Sequence, residues 1–405
     1  MNVKQISERL NKENVKKGFE YIRRNGVSRF WTLAKAKAFP AGKSYKEWYE
    51  EHCPTKEELM RQREVEFSVQ PLISIVVPTY QTPIPFLKDM IDSVRKQSYE
   101  KWELCIADGS LNGDENDTKV IRVREELNRY SMEDKRIKVV YLEENQGISE
   151  NTNQALALAT GEYIGLFDHD DMLTPDALYE IVKAINDQDA EVIYTDEDKV
   201  SMDGQHYFDP HFKSDFNLFR FRDNNYICHI FAVKRQVAEQ AGYFRKEFDG
   251  AQDFDFIFRC CEKAEKIIHI PRVLYHWRCH MDSTAADPES KAYAFEAGRK
   301  AVEEHYKRMG IPAKVEMTER PGWYRSRLEI QGNPMISVII PNKDHTEDLE
   351  LCLSSMAKRT SYENYEVLVV ENNSEEKETF AYYEKLHERY PRVRVLTWEK
   401  EFNYS

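Results

Sequence analysis

The sequence has no run of 18 uncharged apolar residues, the shortest stretch that suggests a transmembrane helix. Glycine is scarce as well, with 15 residues in 405, below the usual ~7%, which excludes collagen-like and glycine-rich linker proteins. Positive charge is in the minority, and the formal net charge is −13. A general nucleic-acid-binding protein needs a basic surface, so the charge argues against that class and leaves only a local basic groove open.

Cysteine is present without a pattern that pairs it. The seven cysteines form an odd set with no C-x-x-C pair, which favours neither a disulfide framework nor a zinc finger and is typical of a reducing cytosol. The N-terminus lacks the apolar stretch of a secretion signal. We therefore expect a cytoplasmic protein. Hydrophobic residues make up 41% of the chain, which is sufficient for a sizeable core.

Residues 1–70 are predicted to form a helical extension. Apolar side chains recur there at roughly helical spacing, and Thr55 followed by Glu58 is typical of a capping box. The lysines, arginines and aromatic residues suit either a solvated helix face or peripheral contact with an anionic membrane surface. We expect the extension to pack on the next domain, and membrane contact stays an alternative.

From Pro71 onward, short apolar runs alternate with helical patterns. Residues 72–77 are β-branched and apolar and end at Pro78, as in a buried strand. Further strands are predicted at 102–107, 137–142, 163–167 and 191–195. Such alternation predicts an α/β domain with a mainly parallel sheet and flanking helices, over about residues 71–330. Ligands are then expected at the carboxyl ends of the strands.

The chain contains an internal repeat. Residues 71–78, PLISIVVP, match residues 334–341, PMISVIIP, and residues 98–104 match residues 361–367 at the same offset of 263. A repeat of this length indicates a second copy of the fold. The second copy, residues 334–405, is shorter than the first, so we expect it to be the truncated first part of a second domain.

Short polar clusters follow the predicted strands or open the helices after them. They are Pro78-Thr79-Tyr80, Asp108-Gly109-Ser110, Asn145-Gln146-Gly147, Asp168-His169-Asp170-Asp171 and Asp253-Phe254-Asp255. Taken singly, each of the first three is as typical of a turn as of a site. The third can also receive an anion at the N-terminus of the helix that follows it.

The acidic cluster at residues 168–171 directly follows an apolar strand. Carboxylates in that position are costly unless a cation or hydrogen-bond donors compensate them. Mg²⁺ and Mn²⁺ prefer oxygen ligands and usually keep a substrate phosphate in their coordination shell. The cluster therefore favours a metal site over a solvated acidic turn.

Two further patterns lie downstream. Aspartate at the start of a helix is a common N-cap, so one of Asp253 and Asp255 is expected to cap a helix and the other to be free for chemistry. His276 and His280 lie four apart, but Tyr275 and Trp277 alternate with them as in a strand. Both histidines would then share one face, as zinc ligands or as ordinary polar side chains.

In this order the clusters resemble family 2 glycosyltransferases, which are inverting nucleotide-sugar enzymes with a GT-A fold. The resemblance covers about residues 71–285, and a partial second match covers 334–405. Residues 195–199 and 216–219 are similar to those of large bacterial members with tandem domains, which build cell-wall, capsular or O-antigen polysaccharides. Ala107 and Gln252 depart from the family pattern, in which acidic residues are usual.

The resemblance implies roles on the donor side. Pro78, Thr79, Tyr80 and Asp108 resemble the pocket for the nucleotide base. Asn145 and Gly147 resemble the loop near the ribose and phosphates. The donor would be a nucleoside diphosphate sugar of the UDP or dTDP type.

The resemblance also implies catalytic and metal roles. In the D-x-D pair, Asp168 would face the ribose and Asp170 would hold Mn²⁺ or Mg²⁺, while Asp171 would support the loop. Asp253 matches the family's general base. Arg278 and His280 resemble the segment that closes over the diphosphate, with His280 as a further metal ligand.

The implied reaction is transfer of a sugar, with inversion, to a hydroxyl of a saccharide or lipid-linked saccharide, in the cytoplasm or at the inner face of the cell membrane. Two alternative functions fit the sequence less well. A sugar-nucleotide pyrophosphorylase would need a glycine-rich phosphate loop with a basic residue, which residues 78–82 lack. A non-catalytic polysaccharide-assembly scaffold would not need the complete set of aspartates.

Overall fold

The computed structural model describes residues 44–111, 117–279 and 292–402. The chain divides into two compact units between Arg327 and Leu328. Most of the predicted extension, residues 1–43, lies outside the described residues. Among the helices that are described, none combines the length and apolar character needed to cross a membrane.

The described part of the extension contains two short helices, α1 (Tyr45–His52) and α2 (Lys56–Arg63). The predicted capping box is confirmed at the start of α2, where the Thr55 hydroxyl accepts the Glu58 amide and the Thr55 amide donates to the Glu58 carboxylate. Each of the two side chains therefore accepts a hydrogen bond from the backbone amide of the other residue.

Helix α1 packs on the sheet through its aromatic side chains. The Tyr45 hydroxyl donates to Asp198 at 2.6 Å, and the Tyr49 hydroxyl lies 3.0 Å from Nε2 of His276. The Nδ1 atom of His276 lies 2.6 Å from the same Asp198 carboxylate. These contacts agree with the expectation that the extension packs on the next domain.

The first unit is built on a twisted mixed sheet, in the order β3-β2-β1-β4-β8-β6-β9-β5 with β7 beside β6. Six of the nine strands in the described residues run in one direction, whereas β5, β7 and β8 are antiparallel to their neighbours. The strands are β1 Ile73–Thr79, β2 Trp102–Asp108, β3 Ile137–Tyr141, β4 Tyr163–Leu166, β5 Met172–Leu173, β6 Val192–Val200, β7 Tyr207–His211, β8 Phe231–Lys234 and β9 Ile267–Arg278.

Helices cover both faces of this sheet. Side chains alternate between faces along a strand, so Ile75 packs with Leu87 and Ile181 in one buried cluster and Val76 packs with Ala155 and Phe254 in the other. The helices are α3 Ile84–Arg95, α4 Thr118–Glu133, α5 Ile148–Leu158, α6 Ala177–Gln188, α7 Leu218–Asp223, α8 Arg235–Ala241, α9 Gln252–Cys261 and α10 Ala292–Arg308, followed by strands β10 Ala313–Met317 and β11 Tyr324–Leu328. This arrangement confirms the predicted α/β fold, with a mainly parallel sheet and flanking helices.

The second unit contains a parallel sheet in the order β12-β13-β14. Its elements are β12 Ile336–Asn342, α11 Thr346–Arg359, β13 Tyr365–Glu371, α12 Lys377–Arg389 and β14 Val393–Thr397. They repeat the order β1-α3-β2-α4-β3 of the first unit. We call β1-α3-β2-α4-β3 the first copy and β12-α11-β13-α12-β14 the second copy. Ile73 pairs with Trp102 in the first copy, and Ile336 pairs with Tyr365 at the same offset in the second. The domain boundaries themselves stay predictions.

Candidate active site

The ends of β1 and β2 lie side by side because Thr79 pairs with Asp108 in the parallel register. Asp108 is wholly buried and accepts hydrogen bonds from the hydroxyls of Thr79, at 3.0 Å, and Ser110. Its Oδ2 atom lies 3.6 Å from Nε of Arg124, and neither atom has a hydrogen-bond partner among the described residues. The strand ends thus fix one carboxylate oxygen and leave the other able to accept a hydrogen bond. Tyr80, the next residue after β1, is exposed.

The loop before α5 is held by its own side chains. Asn145 Oδ1 accepts the Gly147 amide at 3.1 Å and the Asn151 side-chain amide at 2.9 Å. The Ser149 amide, in the first turn of α5, donates to Asp249 at 3.2 Å. A carboxylate of the protein itself thus binds one amide in the first turn of α5.

Gly147 is required where it stands. Its φ is +96°, and a Cβ atom there would lie 2.7 Å from Oδ2 of Asp249. Both residues line the same cleft as Pro78. Of the sequence-predicted donor residues, the structure therefore brings Pro78 and Gly147 to one cavity.

The acidic loop after β4 places two of its carboxylates beside a histidine. Single ligand atoms of Asp168, Asp171 and His229 lie within 4.8 Å of one another. The His229 Nε2 atom is 3.4 Å from Oδ2 of Asp168. Asp170, the expected metal ligand, is not a member of this group among the described residues. The donor set of two carboxylates and an imidazole suits a divalent cation such as Mn²⁺.

Asp171 ties the acidic loop to strand β9. It is fully buried and accepts hydrogen bonds from the Tyr275 hydroxyl, at 2.5 Å, and the Arg278 amide, at 2.7 Å. Burial raises the pKa of Asp171 well above its ordinary value, and the neighbouring charges of Asp170 and Asp168 add to this rise. Strand β9 therefore holds the loop through these two hydrogen bonds to Asp171.

Arg278 is not among the residues that line the cleft around Asp168, and its predicted contact with the diphosphate stays a prediction. Its side chain is fully buried, and its guanidinium donates to the carbonyls of Asp170, at 2.7 Å, and Met202, at 2.8 Å, and to Asp89, at 2.8 Å. It also lies over the Phe86 ring. With these partners the guanidinium holds the acidic loop in place. The other half of that motif, His280, lies outside the described residues.

Asp253 lies in the first turn of α9 and lines the same cleft as Asp168. The Asn225 side-chain amide donates to its Oδ2 atom at 2.8 Å. Burial raises the pKa of Asp253 above its ordinary value, and the positive charge of His229 offsets only part of this rise. Asp253 is thus a half-buried carboxylate that Asn225 orients and whose pKa lies above that of an ordinary aspartate.

The expectation that Asp253 or Asp255 caps the helix is wrong. The N-cap is Ala251, which makes no side-chain hydrogen bond. Asp255 is fully buried and bonded to Arg245 and Arg259. The ion pairs engage Asp255, so Asp253 is the carboxylate of this pair that faces the cleft.

Sequence reasoning missed His229 and the residues that hold it. Nδ1 of His229 lies 3.2 Å from Glu197, on β6, and its ring stacks on Tyr275 with centroids 4.7 Å apart. Lys213, which is buried, donates to Glu197 at 3.0 Å and to the His229 carbonyl at 2.6 Å. The one available signal was the acidic run at 196–198 inside an apolar strand, because buried charges need partners.

Asp168 and His229 each stabilise the charged form of the other. Partial burial opposes ionisation, but the hydrogen bond and charge of His229 lower the pKa of Asp168 below its ordinary value. Burial opposes protonation of His229, yet Asp168 and Glu197 raise its pKa well above the ordinary value. The position between the two carboxylates therefore attracts positive charge.

The cleft that joins these residues has a volume of about 720 Å³. Asp168, His229 and Asp253 lie on its walls together with aromatic side chains, namely Phe167, Phe244, Phe254, Trp277, Tyr293, Phe295 and Tyr324. Aromatic faces can pack against the apolar faces of a bound ring. The cavity can thus bind a flat or ring-shaped ligand, hold a divalent cation and accept a proton.

Comparisons with known proteins identify the family. Residues 74–246 and 337–405 match the family described as "Glycosyl transferase family 2". The chain is 42% identical to the protein y4gI of Sinorhizobium fredii over 83% of its own length and 36% of the relative. It is 33% identical to the O-antigen biosynthesis protein RfbC of Myxococcus xanthus over 90% of its own length and 28% of that protein. The chain thus spans about a third of the length of these relatives.

Among solved structures, TarS of S. aureus is similar over 57% of this chain and 39% of its own. The sequence identity is 20%, and the TM-score is 0.42.

Proposed function

Since this chain belongs to glycosyl transferase family 2, we propose that its first unit transfers a sugar, with inversion, from a nucleoside diphosphate sugar to a hydroxyl group. The observation that carries this function is that Asp168 and Asp253, from distant parts of the chain, line one cleft. A growing bacterial surface polysaccharide is the proposed acceptor, supported by the similarity to an O-antigen biosynthesis protein.

The donor nucleotide is proposed to bind at the ends of β1 and β2. Asp108 supports this placement because its Oδ2 atom is buried without a hydrogen-bond partner among the described residues. An N–H group of a uracil or thymine base would satisfy that acceptor. Pro78, Thr79 and Tyr80 would form the rest of the base pocket, so a UDP- or dTDP-type donor remains our proposal.

A divalent cation is proposed at the acidic loop. The D-x-D resemblance assigns Asp170 to the cation and Asp168 to the ribose, whereas the geometry adds Asp168, which lies within the group of ligand atoms described above. When bound, such a cation neutralises the charge that develops on the departing diphosphate. Arg278 is left out of this role because its guanidinium is bonded to the loop itself.

Asp253 is proposed as the general base. The acceptor oxygen attacks the anomeric carbon, the bond from that carbon to the diphosphate oxygen breaks, and the hydroxyl proton passes to the Asp253 carboxylate. The raised pKa of Asp253 makes it a better proton acceptor, and Asn225 orients it. Positioned general-base catalysis typically contributes ~10²–10⁴-fold in rate.

The acceptor is proposed to lie along the aromatic walls of the cleft. Trp277, Tyr293 and Tyr324 line this region, and aromatic faces stack well on the apolar faces of sugars. The acceptor is either a free saccharide or a lipid-linked one. For a lipid-linked acceptor we propose that the chain works at the inner face of the membrane.

The test compares Asp253→Asn with wild type in release of nucleoside diphosphate from UDP- and dTDP-sugars. We expect turnover to fall by ~10²–10⁴-fold, with donor affinity measured by calorimetry nearly unchanged. Asp215→Asn is the matched control, since the Asp215 side chain is 98% exposed. Full activity of Asp253→Asn would refute the proposed base.

A further inference from the structure

The His229 ring is held on three sides. Its Nδ1 atom lies 3.2 Å from Glu197, its face stacks on Tyr275, and its Nε2 atom lies 3.4 Å from Asp168. A ring fixed in this way has little rotational freedom. Nε2 is therefore directed toward the acidic loop.

Glu197 is itself fixed and compensated. The Lys213 ammonium lies 3.0 Å from Oε2 of Glu197, and the His229 backbone amide donates to the same atom at 3.3 Å. The ionised Glu197 carboxylate can only accept hydrogen bonds, so the Nδ1 atom of His229 carries a proton and donates it in a hydrogen bond to Glu197. The lone pair of a neutral His229 ring then lies on Nε2, toward Asp168.

This orientation matches a recurrent arrangement of metal-binding histidines. Such a histidine almost always donates its other ring N–H to a carboxylate or a carbonyl, which fixes the tautomer and the ring direction. A bound cation would take the place of the Nε2 proton, between Nε2 and the Asp168 oxygen that faces it. Two ligands ~2.1 Å from one octahedral ion lie about 3 Å apart, close to the 3.4 Å seen between Nε2 and Oδ2.

On the basis of the proposed function, we infer that His229 is a ligand of the divalent cation through Nε2, beside Asp168. Glu197 and Lys213 are positioning residues, because they act on the cation through the His229 ring. Imidazole suits transition metals, whereas Mg²⁺ is bound mainly by oxygen. The site therefore binds Mn²⁺ in preference to Mg²⁺.

The test is a titration of the full chain with MnCl₂, alone and with UDP, followed by electron paramagnetic resonance. We expect a ¹⁴N coupling to the bound Mn²⁺ in wild type and its loss in His229→Ala, with Mn²⁺ affinity at least tenfold lower. Glu197→Gln keeps the coupling but weakens binding by ~10–100-fold, as is typical when a group behind a metal ligand is removed.

The matched control is His211→Ala, because His211 also contacts Glu197, at 3.5 Å, but is outside the ligand group. It should bind Mn²⁺ within about twofold of wild type, since it removes no ligand. Mn²⁺ binding without a ¹⁴N coupling, or a coupling that survives in His229→Ala, would overturn the assignment and leave the proposed transfer standing. A nitrogen-ligated Mn²⁺ in a chain whose Asp253→Asn variant is fully active would instead refute the proposed base alone.

Discussion

In the first copy, the Ser74 hydroxyl donates to Glu103 at 2.7 Å, and in the second copy the Ser337 hydroxyl donates to Glu366 at 2.8 Å. The two bonds occupy equivalent places in the same strand register. Their surroundings differ, because the Glu103 side chain is 6% exposed and that of Glu366 is 27% exposed. The same sequence pattern thus sets the bond, and the surrounding structure sets its energetic value.

The hydrogen-bond partners of Glu103 and Glu366 also differ. Lys138 lies 2.6 Å from Glu103, and Arg394 lies 2.5 Å from Glu366. Only Glu103 also accepts the backbone amide and the hydroxyl of Thr160, among the described residues. Strand β1 lies between β2 and β4, whereas β12 is an edge of its sheet in the part of the chain that the structure describes.

The strand ends differ in chemistry. Asp108 accepts two side-chain hydroxyls, whereas its counterpart Glu371 accepts the Ser374 amide at 2.6 Å. Asn342, which replaces Thr79, donates to the Tyr383 hydroxyl at 2.7 Å. The carboxylate pocket that we propose for the base is therefore built in the first copy only, as far as the described residues show.

The largest expected difference between the copies is in stability. Glu103→Ala removes one partner of a buried ion pair and leaves Ser74 and Thr160 without their acceptor, which should cost about 3 kcal/mol or more. Glu366→Ala should leave the second copy unchanged within error, because exposed pairs contribute little. Hydrogen exchange of β1 and β12 amides measures both effects separately. Equal losses of protection would contradict the role of burial.

Acid should weaken the first copy through the same carboxylate. Burial opposes it, but the bonds from Lys138, Thr160 and Ser74 lower the pKa of Glu103 to about 2. The folded value is below the unfolded one, so the contribution of Glu103 is complete above a pH of about 4.3 and is lost as the pH falls toward about 2.

The measurement is the free energy of unfolding of wild type minus that of Glu103→Gln, followed over that pH range. This difference should shrink as the pH falls, since the protonated glutamate resembles glutamine. The corresponding difference for Glu366→Gln should change less, since water screens that exposed pair. A difference for Glu103→Gln that does not depend on pH would rule out the lowered pKa.

A smaller difference is expected in ligand binding. Asp108→Asn should weaken UDP binding by about tenfold, equivalent to about 1.4 kcal/mol, because an amide replaces a carboxylate whose Oδ2 atom has no hydrogen bond among the described residues. Glu371→Gln serves as the control and should bind UDP as wild type does. Calorimetry with UDP decides between them. Identical affinities for both variants would place the base elsewhere.

Much of the fold could be predicted from sequence because its strands are continuous apolar runs. The apolar run at 72–77 and its repeat at 334–341 correctly located the first strand of each copy. Strand β8, only four residues long, was missed. It runs antiparallel between β4 and β6, and a short strand inserted out of sequence order carries no periodic signal of its own.

The site residues that belong to a short sequence motif could be predicted from the sequence. Asp168 and Asp253 do line one cleft, although their roles remain proposals. His229 was missed because its partners Glu197 and Lys213 are distant in sequence. The direction of Arg278 could not be derived either, since it depends on a contact with Asp89, 189 residues away. Long-range contacts of this kind are set by packing and leave no local pattern.

The smallest expected difference concerns a single hydroxyl at equivalent positions. Tyr99 donates to the Pro71 carbonyl at 2.8 Å, and Tyr362 donates to the Pro334 carbonyl at 2.6 Å. Tyr99 is 8% exposed, so Tyr99→Phe leaves a buried carbonyl without its donor and should cost about 1 kcal/mol. Tyr362→Phe should cost less, because water can replace the hydroxyl at the more exposed site. Denaturant unfolding of the two variants measures this, and a larger loss for Tyr362→Phe would show that β12 is covered in solution.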